Sequence, residues 1–184
     1  MTEIILIVLV ILAALLIYIM TRPNTFRVRR SAMIDAPPEK VFPLINDFHR
    51  WEVWSPWEKL DPALQRRFSG PESGKGSIYE WQGNKKVGQG RMEIVDSFAP
   101  SKILIKLDFL KPFESHNTTE FTLEPKDRAT EVNWEMYGPS PFMTKAMSLF
   151  GGMDKMVGKD FEKGLANMRA AAEGTTPEAV PPPR

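Results

Sequence analysis

Seventeen consecutive residues, Ile4 to Met20, carry no charge, and the run is apolar on every face rather than along one stripe. A surface helix of a soluble domain does not look like this. At about 1.5 Å rise per residue the run is roughly 26 Å long, close to the ~30 Å hydrocarbon core of a bilayer. Thirteen of the seventeen are Ile, Leu or Val. At roughly −0.3 to −0.6 kcal/mol each near the bilayer centre, they favour insertion by about 4 to 8 kcal/mol. The small shortfall in length is absorbed by local thinning or by Thr21 and Arg22 reaching the headgroups. A cleaved secretory signal would need a basic n-region and a small-x-small cleavage site. Met-Thr-Glu at the start and Tyr18-Ile-Met-Thr-Arg-Pro after the run offer neither.

Flanking charge sets the expected orientation. The N-terminal side carries Glu3 and no basic side chain, whereas Arg22, Arg27, Arg29 and Arg30 follow the run. Basic residues stay on the cytoplasmic side, so the N-terminus is expected outside and the rest of the chain in the cytoplasm. The same arginines also suit an ordinary strand surface, and basic groups near a membrane attract anionic lipid. A formal net charge of +1 gives no global field for nucleic acid. The chain has no cysteine, which excludes disulfides, thiolate nucleophiles and zinc–thiolate sites. With only His49 and His116, a three-histidine metal site is impossible. No metal and no cofactor is expected.

Residues 23 to 173 read as one α+β domain. Phe26 to Ile34 alternates like a strand. Asp35-Ala-Pro-Pro-Glu then opens a helix, with Asp35 or Ala36 as cap and Val41, Phe42, Leu44, Ile45 and Phe48 as its apolar stripe. Short strands follow at Gln65–Ser69, Gly76–Gln82, Val87–Phe98, Lys102–Leu110, Ser115–Glu124 and Thr130–Tyr137, each with one wet and one covered face. Phe142, Ala146, Leu149, Met153, Met156 or Val157, Phe161, Leu165 and Met168 recur at helical spacing, with a break expected at Gly151-Gly152. Three parts are therefore expected: an anchor over 1–22, the domain over 23–173 and a disordered proline-rich tail over 174–184. The covered sheet face needs a partner, and the C-terminal helix is the long amphipathic element that can supply it. A curved sheet gripping one helix leaves volume between them, so a cavity is expected.

Ile34-Asp-Ala-Pro-Pro-Glu-Lys-Val-Phe-Pro-Leu-Ile-Asn-Asp-Phe, then Trp51, Trp54-Ser-Pro-Trp57, Gly76-Ser-Ile-Tyr-Glu-Trp and the final helix resemble the START-like, polyketide cyclase/dehydrase-type domains of the SRPBCC superfamily. The resemblance covers roughly residues 26–172 and implies the helix-grip fold. It also implies a deep cavity for lipids, sterols, hormones or polyketides, and in some members ring chemistry. The leading apolar helix is similar to that of membrane-anchored bacterial members, which implies a single-pass protein of the inner membrane.

Candidate ligand-binding residues come from the covered strand faces: Tyr79, Trp81, Phe109, Phe121, Trp134 and Met136, with Asn117 and Thr119 as polar handles. Trp51, Trp54 and Trp57, at a spacing of three, are candidates for an aromatic wall, against the plainer reading of a hydrophobic plug. Met147 stands for a methionine-rich helix whose flexible thioethers suit an adaptable pocket. No catalytic residue is assigned: His116 shares its face with Thr118, Glu120 and Glu124, nothing organises His49, and almost no protonatable group is expected inside the cavity. The leading expectation is a membrane-tethered, non-catalytic binder of a hydrophobic small molecule. The alternatives are an accessory subunit docked on a larger membrane complex, and a cyclase-type enzyme.

An arginine at the centre of an inserted helix costs roughly 2.5–3.5 kcal/mol. Leu9→Arg combined with Leu12→Arg should therefore cancel the insertion energy and move the protein from the membrane pellet to the supernatant on fractionation.

Overall fold

The computed structural model describes residues 1–147 and 152–176, and all of Met147 except its side chain. Helix α1 (Thr2–Met20) is long and apolar enough to cross a membrane, and of its side chains only Ile19 is buried. After four connecting residues β1 (Thr25–Ile34) begins. Helix α2 (Pro38–Asn46), a 3₁₀ turn (Phe48–Arg50), helix α3 (Trp51–Trp54) and a second 3₁₀ turn (Pro56–Lys59) follow. Then come β2 (Gln65–Ser69), β3 (Ile78–Gln82), β4 (Gln89–Phe98), β5 (Lys102–Lys111), β6 (Ser115–Lys126) and β7 (Ala129–Pro139). Two helices close the chain, α4 (Phe142–Met147) and α5 (Gly152–Glu173).

The strands form one antiparallel sheet in the order β1-β7-β6-β5-β4-β3-β2. Consecutive strands from β2 to β7 are hairpin neighbours, and β1 returns to close the far side against β7. The β4–β5 register slips at Gln89/Gly90 and again at Ile94/Asp96. Such irregularities bend the strand that carries the extra residue. The sheet is curved, and α5 lies against it, chiefly on β1: this is the helix-grip fold.

Strand alternation follows the sequence pattern in the central strands, with β6 alternating buried and wet from Asn117 to Leu123, but β2, expected to have a covered face, is exposed at all five residues at the edge of the sheet. Helix α2 departs from the expected cap. Its N-cap is Pro37, whose fixed φ of −68° suits the position, and no side chain caps it. The Asp35 backbone N–H instead donates to Glu173 Oε1 at 2.8 Å, tying the end of α5 to the β1–α2 junction. The helical stripe expected from Phe142 onward belongs to two helices, and Gly152 opens the second with φ +64°, a value only glycine adopts freely. Phe142 is exposed, because α4 packs beside the end of α1 and not along the sheet. Leu149, Gly151 and residues 177–184 of the expected tail lie outside the described residues.

The core sits under α2. Val41, Leu44, Ile45 and Phe48 meet Ile94, Ile103, Ile105, Phe121, Leu123 and Val132 in one buried cluster. Trp54, fully buried, donates its indole N–H to the Leu44 carbonyl at 2.7 Å, and Trp51 does the same to Ile45 at 3.0 Å. The two tryptophans thus staple the short helices together. Trp54→Phe keeps a buried ring but orphans the Leu44 carbonyl, a loss of about 1–3 kcal/mol. It should lower the thermal midpoint clearly, while Trp57→Phe, at a half-buried ring, should lower it less.

Candidate functional site

On the concave side of the sheet, β4 to β7 are each divided between core and cavity. At the edge where β1, β4 and β6 begin and β3, β5 and β7 end, no counterpart of α2 among the described residues fills the space. A cavity of about 340 Å³ lies there, within the usual range for small-molecule sites. Tyr79 and Trp81 of β3, Met92 of β4, Leu107 and Phe109 of β5, Thr119 of β6, and Trp134 and Met136 of β7 form its floor. Trp51, Ser55, Trp57, Glu58 and Leu64 close one side. Met153, Met156, Val157, Asp160 and Phe161 of α5 form the roof, with Lys86 and Val87 from the β3–β4 tip.

Of the residues singled out in the sequence, Trp51, Trp57, Tyr79, Trp81, Phe109, Thr119, Trp134 and Met136 line this space. Trp54 and Phe121 do not. Both are fully buried behind the wall, ring centroids 6.1 Å apart, where they support Trp134. Asn117 is inward by alternation and buried, but it lies beyond the cavity at the sheet edge, and its amide donates to Ser115 Oγ at 2.8 Å. The side chain of Met147 lies outside the described residues.

The wall is richer in protonatable groups than the sequence led one to expect. Glu58, on a 3₁₀ turn, is buried beside the cavity. One carboxylate oxygen accepts the Tyr79 hydroxyl at 2.6 Å and the other accepts Arg66 Nε at 2.7 Å. Burial, and then the hydrogen bond to Glu58, push the Tyr79 phenol far above its ordinary range. The hydrogen bond to Glu58 raises the Arg66 pKa as well. A charge brought in with its partner and hydrogen bonds avoids the penalty of a lone buried ion. Nothing local in the sequence announces this trio, since its members come from a 3₁₀ turn and two different strands.

Asp160 is different. It lies half-buried on α5 at the cavity, and burial raises its pKa above the usual aspartate value, with Lys163 pulling the other way. The Trp134 indole N–H is buried with no hydrogen-bond partner among the described residues. Its ring lies face to face on Phe161 at 3.9 Å.

The two histidines are elsewhere. His116 sits on the opposite face of the sheet, Nδ1 2.7 Å from Asp108 Oδ1, and that hydrogen bond raises its pKa. His49 stacks on Phe68 at 4.1 Å, with Nδ1 2.9 Å from Asp47. Among the described residues, no group of three or more His, Asp or Glu side chains could hold a metal ion.

The sequence profile described as "Polyketide cyclase / dehydrase and lipid transport" matches residues 25–173. No curated protein matches the chain. Among solved structures, protein CV1439 from Chromobacterium violaceum superposes with a TM-score of 0.57 at 16% identity, covering 83% of this chain and 99% of that one. MLL2253 from Mesorhizobium loti gives 0.58 at 18% identity, covering 82% and 99%. KanY protein gives 0.61 at 14%, covering 83% and 100%. At these identities the likeness is one of fold.

A raised aspartate pKa means that the fold favours the protonated form and penalises the ionised one. The penalty is absent where Asp160 is protonated in both folded and unfolded chains, and grows as pH rises through the raised pKa. Asp160→Asn should therefore raise the thermal midpoint at neutral pH and leave it unchanged below the ordinary carboxylate range, in melts recorded across pH.

Proposed function

The chain belongs to the polyketide cyclase/dehydrase and lipid transport family, and on that premise we propose that it holds a hydrophobic small molecule in its cavity while α1 tethers it to a membrane. In this reading residues 1–22 are the anchor and 23–173 the binding domain, which lies on the cytoplasmic side with the N-terminus outside. The ligand is lipid-like, or polyketide- or isoprenoid-like, and the protein does not transform it. Trp57, Trp81, Phe109 and Met136 supply apolar surface. Tyr79, Thr119 and Trp134 supply the polar atoms that orient the guest.

The observation that carries this reading is the state of the polar groups around an otherwise apolar cavity. Both oxygens of Glu58 already accept hydrogen bonds from Tyr79 and Arg66, which leaves its carboxylate occupied instead of poised to move a proton. A wall of aromatic and aliphatic groups with a few fixed polar atoms is what an apolar guest requires. The tether adds effective concentration: a molecule that partitions into the bilayer meets a cavity held beside it. Asp160 favours a second reading, a cyclase-type enzyme, because a carboxyl group with a raised pKa suits proton transfer.

Native mass spectrometry of the full-length protein in mild detergent decides whether a small-molecule mass travels with it. Val157→Trp, at a half-buried position on the roof, should fill the cavity and weaken an apolar fluorescent probe at least about tenfold, roughly 1.4 kcal/mol, with an unchanged circular dichroism spectrum. Equal probe affinity for both proteins would remove the cavity from consideration. Turnover of a polyketide-like substrate that is lost in Asp160→Asn would establish the enzymatic reading instead.

A further inference from the structure

We propose that the edge of the domain at which the cavity opens is a docking face for an anionic bilayer, seated on the same membrane that α1 enters. The proposal rests on the tether reading above and adds an orientation to it.

Chain geometry comes first. Only Thr21 to Asn24 separate α1 from β1, and four residues reach about 14 Å at full extension. They are not fully extended. The Arg22 backbone N–H donates to the Ile19 carbonyl, and the Asn24 carbonyl accepts the Ser140 N–H at 2.7 Å. Lys145 Nζ donates to Asn24 Oδ1 at 2.7 Å. The linker is thus pinned to the β7–α4 connection, and α4 touches α1. Whatever surface α1 emerges from must lie close to this edge.

Strand register then decides what else is there. Thr25 pairs with Pro139, Phe109 with Ser115, Gln89 with Lys111 and Gln82 with Gln89. The start of β1, the β5–β6 turn, the β3–β4 tip and the β7–α4 connection therefore share one edge, and the exposed parts of the cavity lining, Lys86 and Met156, lie with them.

This edge carries large apolar side chains in water. Phe113 is 72% exposed at the tip of the β5–β6 turn, Met143 is 61% exposed on α4, and Leu110, Phe142 and Met156 are about half exposed. Lys85, Lys86 and Lys111 stand among them, with Glu114 as the opposing charge on the same turn. The opposite edge carries the polar Asp127-Arg128 turn, the Gly70–Ser77 loop, the short Ala99–Ser101 turn and the β1–α2 junction, and Phe98 and Met33 are exposed there singly. Scattered apolar side chains are ordinary; a group of them ringed by lysines beside a membrane helix fits a lipid headgroup layer. A guest would then pass from bilayer to cavity without crossing bulk water.

The chain has no cysteine, so single spin labels are specific. Phe113→Cys, Met143→Cys, Arg128→Cys and Leu12→Cys would each be labelled in the full-length protein and placed in vesicles of phosphatidylethanolamine and phosphatidylglycerol. Collision with lipid-dissolved oxygen is compared with collision with a water-soluble nickel chelate. Labels at 113, 143 and 12 should favour oxygen several-fold, and the label at 128 should favour nickel. If 113 and 143 behave like 128 while 12 reads lipid, the docking face is overturned and the tether stands. If 113 and 143 are shielded from both probes, a protein contact covers the face and the proposal also fails. If 12 reads water, the tether reading falls and takes the docking face with it.

Discussion

The stack of Trp134 on Phe161 sets the height of α5 above the sheet. The rings lie 3.9 Å apart and within 8° of parallel. One turn further along the helix, Gly164 presents no side chain, and a Cβ there would collide with the Trp134 ring. The C-terminal half of α5 consequently packs closely, with Leu165 and Met168 buried. The N-terminal half is held at its side by Arg30 of β1, which donates to Asp154 and Glu162 at 2.7 Å each. Helix and sheet are joined firmly at these points, and between them the roof residues Met153, Val157 and Asp160 stand over open space.

The cavity is what remains when a curved sheet is covered from two directions by elements of unequal reach. Ile94, Ile105 and Phe121 lie under α2 and become close-packed core. Two residues away on the same strands and the same face, Met92, Leu107 and Thr119 line the cavity. Chemically the two sets are much alike. Interiors pack to the density of organic crystals wherever an element can reach, and a void persists where none does.

Polar groups around the void fall into two kinds. Glu58, Tyr79 and Arg66 satisfy one another, so the fold bears little cost for burying them. The Trp134 N–H is buried with no partner among the described residues, and Asp160, half-buried, is pushed towards its protonated form by burial. Unpaired buried polar atoms cost about 1–3 kcal/mol each. In the proposed binding role, a guest that accepts the Trp134 N–H would recover part of that cost.

The α+β class, the strand alternation and the apolar helix at the start were all legible in the sequence, because each rests on local periodicity: two residues per repeat in a strand, 3.6 in a helix, and seventeen apolar residues in a row. Periodicity also placed Tyr79, Trp81, Thr119 and Trp134 on the inward face. It could not separate them from Phe121, which shares that face, because whether a position meets a neighbour or a void depends on how far α2 reaches. Trp54 looked like Trp57 at a spacing of three, but tertiary packing buried one behind the wall and set the other on it. Glu58 gave no warning at all, since its partners are 8 and 21 residues away and meet it only once the sheet has curved. Sequence alone determined which residues turn inward and which helix can enter a bilayer. Only the tertiary structure decided where the inward surface stays uncovered, because that follows from the distances between elements far apart in the chain.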